Sequence, residues 1–272
     1  MHLTILKGKI MLFSPLFSGS SGNATFIEAG GVRLLVDAGL TGIRIEQALS
    51  AIGIPANTIN GILVTHEHID HVRGIGVLSR KHGIPVYANA ACWEAMPASI
   101  GEIAPGCTRV IETGRDFYIK NVNVTPFATP HDAAEPVGYT LRHEKRCAGV
   151  LTDIGHIDER LIDAVEDCDI LLIEANHDIE MLKSGSYPYP LKQRILSNRG
   201  HLSNIDCGRA LCRLYARGLR NAILGHLSRD NNEEQLAMET VALQLHAEDI
   251  YAGMRVAMSH RDRPCGVFHL EC

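Results

Sequence analysis

The 272 residues contain no C-x-x-C pair, no run near the eighteen or so apolar residues needed to span a bilayer, and no excess of positive charge. Each absence excludes a class of protein. The eight cysteines (Cys92, Cys107, Cys147, Cys168, Cys207, Cys212, Cys265 and Cys272) sit in a chain too long to need disulfide staples, so reduced thiols in a cytoplasmic protein are expected. The opening residues carry Lys7 and Lys9 but lack the apolar stretch of a signal peptide, so neither export nor membrane insertion is expected. With a net charge of −5 and both signs spread along the chain, no general basic surface is implied, and a site for a polyanion would have to be a local pocket. No internal repeat, low-complexity tract or obvious linker appears. Because Met11 immediately precedes the first well-patterned segment, residues 1–10 read as an N-terminal extension and residues 11–272 as a single domain.

What is present is a chain that can bury a large core, with 46% hydrophobic residues. Short apolar or β-branched runs at 24–27, 32–36, 61–64, 86–88, 122–127, 149–151, 170–173 and 222–224 predict strands. Amphipathic patterns predict helices at 44–51, 75–81, 159–165, 205–216 and 233–246, with Ser203 as N-cap and Gly218 just past the C-terminus of the fourth. Their alternation means a layered α/β fold. The turn-forming stretch 184–190, which holds Tyr187 and Tyr189, is either a loop over a site or an inert surface turn.

The densest chemistry is Thr65-His66-Glu67-His68-Ile69-Asp70-His71, directly after an apolar strand. Neutral imidazoles with a carboxylate suit zinc and related first-row metals, and H-x-H-x-D-H is far denser than a polar surface turn requires. Other ligand-type residues follow predicted strands in the same way: His131 after 122–127, Asp153 after 149–151 and His226 after 222–224. Ligands bind where strands end in α/β sheets, so the repetition is independent support, although either histidine alone would read as structural.

These residues, in this order, resemble the metallo-β-lactamase superfamily. Ser18-Gly-Ser-Ser-Gly-Asn23, Leu35-Val-Asp-Ala-Gly39, His131-Asp-Ala-Ala-Glu-Pro136, Glu174-Ala-Asn-His-Asp178 and Gly225-His-Leu-Ser-Arg-Asp-Asn-Asn232 further resemble its YycJ/WalJ (VicX)-like branch. The resemblance implies a four-layer αβ/βα sandwich with two divalent metal ions at one edge. His66, His68 and His131 would hold one ion and Asp70, His71 and His226 the other, with Asp153 between them. It also implies phosphodiesterase or exonuclease action on nucleic acid. Four imidazoles favour zinc, while two carboxylates and nuclease chemistry leave manganese or iron open.

Two such ions lower the pKa of a shared water and neutralise the oxyanion of a phosphodiester; Asp70 is expected to ligate and to orient that water. A leaving alkoxide needs a proton, for which His201 and His177 are the candidate acids, His201 also as a phosphate ligand and His177 also as support from behind the ligands. Lys192, Arg194 and Arg199 are expected to grip phosphate, and Tyr187 to stack on a base. Asp37 and the loop at 19–22 are expected to shape the site, His156 to lie near it or in solvent, and Arg209, Arg213 and Arg217 to form a solvated helix face. Two other functions stay open. One is hydrolysis of a small ester, thioester, lactone or cyclic phosphodiester; the other is a regulatory protein that holds metal without turnover.

Overall fold

The computed structural model describes residues 10–271. Of the segment read as an N-terminal extension, residues 1–9 lie outside the described residues, whereas Ile10 opens the first strand. The strands are β1 (Ile10–Phe17), β2 (Ala24–Ala29), β3 (Val32–Val36), β4 (Gly61–Leu63), β5 (Val86–Asn89), β6 (Thr108–Ile111), β7 (Phe117–Ile119), β8 (Val122–Ala128), β9 (Val137–His143), β10 (Arg146–Leu151), β11 (Ile170–Glu174), β12 (Asn221–Gly225), β13 (Arg255–Met258) and β14 (Phe268–Glu271). They form two seven-stranded sheets, in the orders β14-β1-β2-β3-β4-β5-β6 and β13-β12-β11-β10-β9-β8-β7. In each sheet one half is antiparallel and the other parallel, the switch falling at β3 in the first and at β10 in the second.

The parallel strands come from the most continuous apolar runs, as strands covered on both faces must. In β3, Leu34 and Val36 face the other sheet, where they meet Tyr139, Leu141, Val150 and Leu172, while Leu35 faces outward. That outward face is covered by helices α1 (Gly42–Ala51), through Ile45 and Leu49, and α3 (Ile75–His82), through Ile75 and Leu78. The short α2 (Ile69–Val72) precedes α3, and α4 (Ala90–Ala95) follows β5. On the far side of the second sheet, α5 (Glu159–Val165), α8 (Asn204–Ala216) and α9 (Glu234–Ala247) bury Leu161, Leu211 and Val241 against Leu171, Ile173 and Leu224. Two more short helices, α6 (Ile179–Ser184) and α7 (Tyr189–Ile195), flank the stretch read as turn-forming, whose residues 185–188 do lie between them outside any helix. Helix, sheet, sheet and helix make the four-layer sandwich.

Helix ends obey local chemistry. The Ser203 hydroxyl accepts from the Asp206 amide at the start of α8, and Gly218, at φ 114°, follows its end. The side chains of Asp158 and Asp178 cap α5 and α6 in the same way. The seven described cysteines are free, and no described helix is long and apolar enough to cross a membrane.

One close approach holds the first ligand segment in place. The Asn23 amide donates to the carbonyl of Asp70 (2.8 Å), the Gly39 amide donates to Asn23, and a Cβ on Gly39 would be built into that same Asp70 carbonyl. Backbone cannot yield as a flexible side chain can. Gly39→Ala is therefore expected to destabilise the protein by about 3 kcal/mol or more, read as a lower urea midpoint.

Candidate metal centre

The side chains at the strand ends converge on one edge of the sandwich. His66 follows β4, and His68 caps α2, whose first turn carries Asp70 and His71. His131 follows β8, Asp153 follows β10 and His226 follows β12. Asp37, after β3, and Glu174, the last residue of β11, arrive by the same rule. Three of these residues turn the chain in the left-handed region: Asp37 (φ 62°), Asp153 (φ 56°) and His226 (φ 54°). Non-glycine residues adopt it at a cost, and it collects at functional sites.

The seven sequence-predicted ligands come together as donor groups. His66, His68 and His131 form one; Asp70, His71 and His226 form another; Asp153 joins His66 and His71 in a third. A fourth contains Asp153, Glu174, His201 and His226. Asp153 Oδ2 lies 3.2 Å from His71 Nε2, and Asp153 Oδ1 lies 3.5 Å from His226 Nε2 and 3.7 Å from His131 Nε2. Asp153 Oδ2 and His226 Nε2 are buried with no hydrogen-bond partner. Donors about 2.1 Å from a shared tetrahedral cation sit roughly 3.4 Å from one another. The spacing and the orphaned atoms therefore fit metal ions, which the chain binds as divalent cations.

Around the candidate ligands a second set of groups fixes three of the rings. His71 Nδ1 donates to Asp37 Oδ2 (2.7 Å), whose carboxylate also accepts from the Thr65 amide and hydroxyl (both 2.8 Å). His226 Nδ1 donates to Glu174 Oε1 (2.7 Å), and His131 Nδ1 to the Gly200 carbonyl (3.1 Å). In each case Nε2 is left toward the centre, the arrangement that metal-binding histidines require. The His226 backbone is held in turn, its amide donating to Ser18 Oγ (2.8 Å).

The charges follow. Burial favours neutral His71, yet Asp153, Asp37 and Asp70 outweigh it and raise its pKa well above the ordinary value. Burial, with His71 adding to it, depresses His66 well below that value. Desolvation works against the Glu174 carboxylate, but His201 and His226 hold its pKa at about 2.

The remaining candidates separate. His201 lies at the centre, with Nδ1 donating to Glu174 Oε1 (2.8 Å) and the ring 5.1 Å from that of His131. His177 belongs to none of the donor groups; both its ring nitrogens are buried without a partner, and burial pushes its pKa down to about 4. Arg199 donates to the His131 carbonyl (3.1 and 2.9 Å), and Lys192 to the carbonyls of Lys183 and Gly185 (both 2.7 Å). Arg194 pairs with Asp132, and Tyr187 donates to Asp230 (2.8 Å), both lining a cavity of about 180 Å³ beside His201. His156 meets the Asn198 carbonyl, Arg213 pairs with Glu159 on α5, and Arg217 pairs with Glu166 just past its end. Glu174 was not singled out from the sequence as a site residue, although its place at the end of an apolar strand is the signal that marked His131, Asp153 and His226.

Two sheets between helices, with this donor set at the strand ends, define a class of metal-dependent hydrolases, and the chain belongs to the β-lactamase superfamily: residues 32–227 match the family model described as Beta-lactamase superfamily domain. Within it, the chain is 41% identical over 244 residues to Exodeoxyribonuclease WalJ of Streptococcus pneumoniae, spanning 89% of this chain and 91% of that one. It is 38% identical over 241 residues to Exodeoxyribonuclease YycJ of Bacillus anthracis, again 89% and 91% of the two chains. The metallo-β-lactamase fold protein YhfI from Bacillus subtilis superposes with a TM-score of 0.71, covering 96% of this chain and all (100%) of that one; at 17% identity this shows the fold alone.

Asp37→Asn, which removes the charge that orients His71, is expected to weaken metal binding about 10–100-fold without unfolding the chain. Competition titration with a chromogenic chelator measures it.

Proposed function

We propose that this hydrolase is a phosphodiesterase that removes nucleotides from the ends of DNA strands, with zinc as the first candidate metal and manganese or iron as the others. The observation that carries the reading is the shared carboxylate of Glu174, which ties the metal ligand His226 to His201 at the wall of a cavity. The names of the relatives in Streptococcus pneumoniae and Bacillus anthracis supply the substrate class. Free cysteines suit a cytoplasmic setting.

His66, His68 and His131 would hold one ion, Asp70, His71 and His226 the other, and Asp153 both. When bound, such a pair acidifies water and stabilises the charge of a phosphodiester oxyanion. The chain does the rest. Asp70, partly open at 22% side-chain exposure, accepts a hydrogen bond from an attacking water and aims it. Glu174 fixes His201 through Nδ1, which leaves Nε2 to deliver a proton to the departing sugar oxygen. His177 is buried, and burial keeps its imidazole neutral. Arg199 fixes His131 by its carbonyl and so acts on phosphate only through that ligand.

His201→Ala is expected to slow digestion of 5′-labelled single-stranded DNA by about 10²–10⁴-fold. It should slow bis-p-nitrophenyl phosphate far less, because p-nitrophenolate leaves without a proton. Equal losses on both substrates would remove His201 from the acid role. Asp70→Ala should abolish both activities while the chain stays folded. Chelation should do the same reversibly, with zinc or manganese restoring turnover; activity on thioesters or lactones but never on DNA would overturn the substrate assignment.

A further inference from the structure

Half of the residues lining the cavity beside His201 come from one stretch of chain, residues 185–200. Tyr187, Leu191, Arg194, Ile195 and Gly200 all line it, with Asn176, Ser20 and Ser228 opposite. This stretch is fastened across the site at two points. Arg194 pairs with Asp132, the residue after His131, and the Tyr187 hydroxyl donates to Asp230, four residues after His226. Each fastening therefore reaches a loop that carries a candidate ligand, one that of His131 and the other that of His226. The ends of the stretch are secured as well. Lys192 donates to the carbonyls of Lys183 and Gly185 at the near end (both 2.7 Å). At the far end, Arg199 holds the His131 carbonyl, and the Asn198 carbonyl meets His156 Nδ1 (3.0 Å).

A polynucleotide cut in its interior must enter a groove on one side of the scissile phosphate and leave on the other. Here, on the side of His201, Leu191, Arg194 and Ile195 of α7 form part of the cavity wall. At about 180 Å³ the cavity is well below the volume of ordinary ligand sites, a size that suits one terminal residue better than a continuing strand. Its lining suits that occupant, with apolar Leu191 and Ile195 and the Tyr187 ring for a base and polar Asn176 and Ser228 for the sugar.

We infer that residues 185–200 form a fastened wall that restricts the site to free strand ends, and that Arg194 and Tyr187 determine this specificity by holding the wall shut. The inference rests on the nucleic-acid reading above. It concerns end selection, not the hydrolytic step.

The test compares linear single-stranded DNA with covalently closed single-stranded circles, each normalised to turnover of bis-p-nitrophenyl phosphate, which has no strand to thread. The native enzyme should digest linear DNA and leave circles intact. Arg194→Ala combined with Tyr187→Phe should raise normalised cleavage of circles at least tenfold, and Arg194→Lys should leave them intact. Asp230→Ala, which frees Tyr187 from the opposite side, should give a smaller gain and serves if the double variant does not fold. Cleavage of circles by the native enzyme as fast as of linear DNA overturns the wall. So does resistance of circles to released variants that still turn over linear DNA and the small diester. Failure of the native enzyme on linear DNA, with the small diester still hydrolysed, removes the nucleic-acid reading and the inference with it.

Discussion

Everything at this edge of the molecule depends on keeping three carboxylates charged inside a protein core. Asp37, Asp153 and Glu174 are 2%, 3% and 0% exposed, and burying an ion without compensation costs several kcal/mol. Compensation differs among them. Asp37 accepts from the Thr65 amide, the Thr65 hydroxyl and His71. Glu174 accepts from the Ile154 and Leu202 amides and from two histidines. Asp153 is answered only by imidazoles at ion-pair distance, and one of its oxygens has no hydrogen bond at all. The two satisfied carboxylates orient histidines; Asp153, held charged against burial by His226 and His71, keeps one oxygen free of hydrogen bonds among the donor side chains. Fold and metal centre are in this sense one electrostatic arrangement, since each strand that ends here delivers either a charge or its compensation.

The sequence was most legible where a short window contains its own explanation. All eight predicted strands and all five predicted helices are present, because each is a periodic apolar run whose burial needs no knowledge of its partner. Of the six strands not predicted, β1 and β9 are buried interior strands that were passed over, while β6 and β14 take their meaning from a neighbour. The edge strand β6 exposes three of its four residues, and β14 exists through its register with β1, some 250 residues away in sequence. The turn read at 184–190 is present at 185–188, but the short helices α6 and α7 on either side of it were not predicted; Pro188 and Pro190 stand at the start of α7, where proline is tolerated.

The site divides along the same line. H-x-H-x-D-H stood out because its donor side chains are adjacent, and His131, Asp153 and His226 were picked out by the strand-end rule; the structure brings all of them together as groups that could hold a metal ion. Ser18, which holds the His226 amide from 208 positions away, carries no local mark of that task. Basic residues were the hardest to read. Lys192 and Arg199, grouped by composition as phosphate grips, are directed at backbone carbonyls, and Arg213 and Arg217 serve ion pairs with α5. A cation's sequence neighbours say little about which oxygen it meets.

The left-handed turns at Asp37, Asp153 and His226 bear on how such a centre can drift over evolutionary time. Aspartate, asparagine and histidine tolerate that backbone region better than other side chains, and β-branched or bulky ones tolerate it least. At these positions the backbone and the chemistry admit nearly the same short alphabet. Inheritance can therefore exchange one oxygen or nitrogen donor for another here, or lose the donor to glycine, but routes through valine or isoleucine are closed twice over. Engineering a new metal preference would have more freedom at His66, His68 and His131, which lie outside that backbone region.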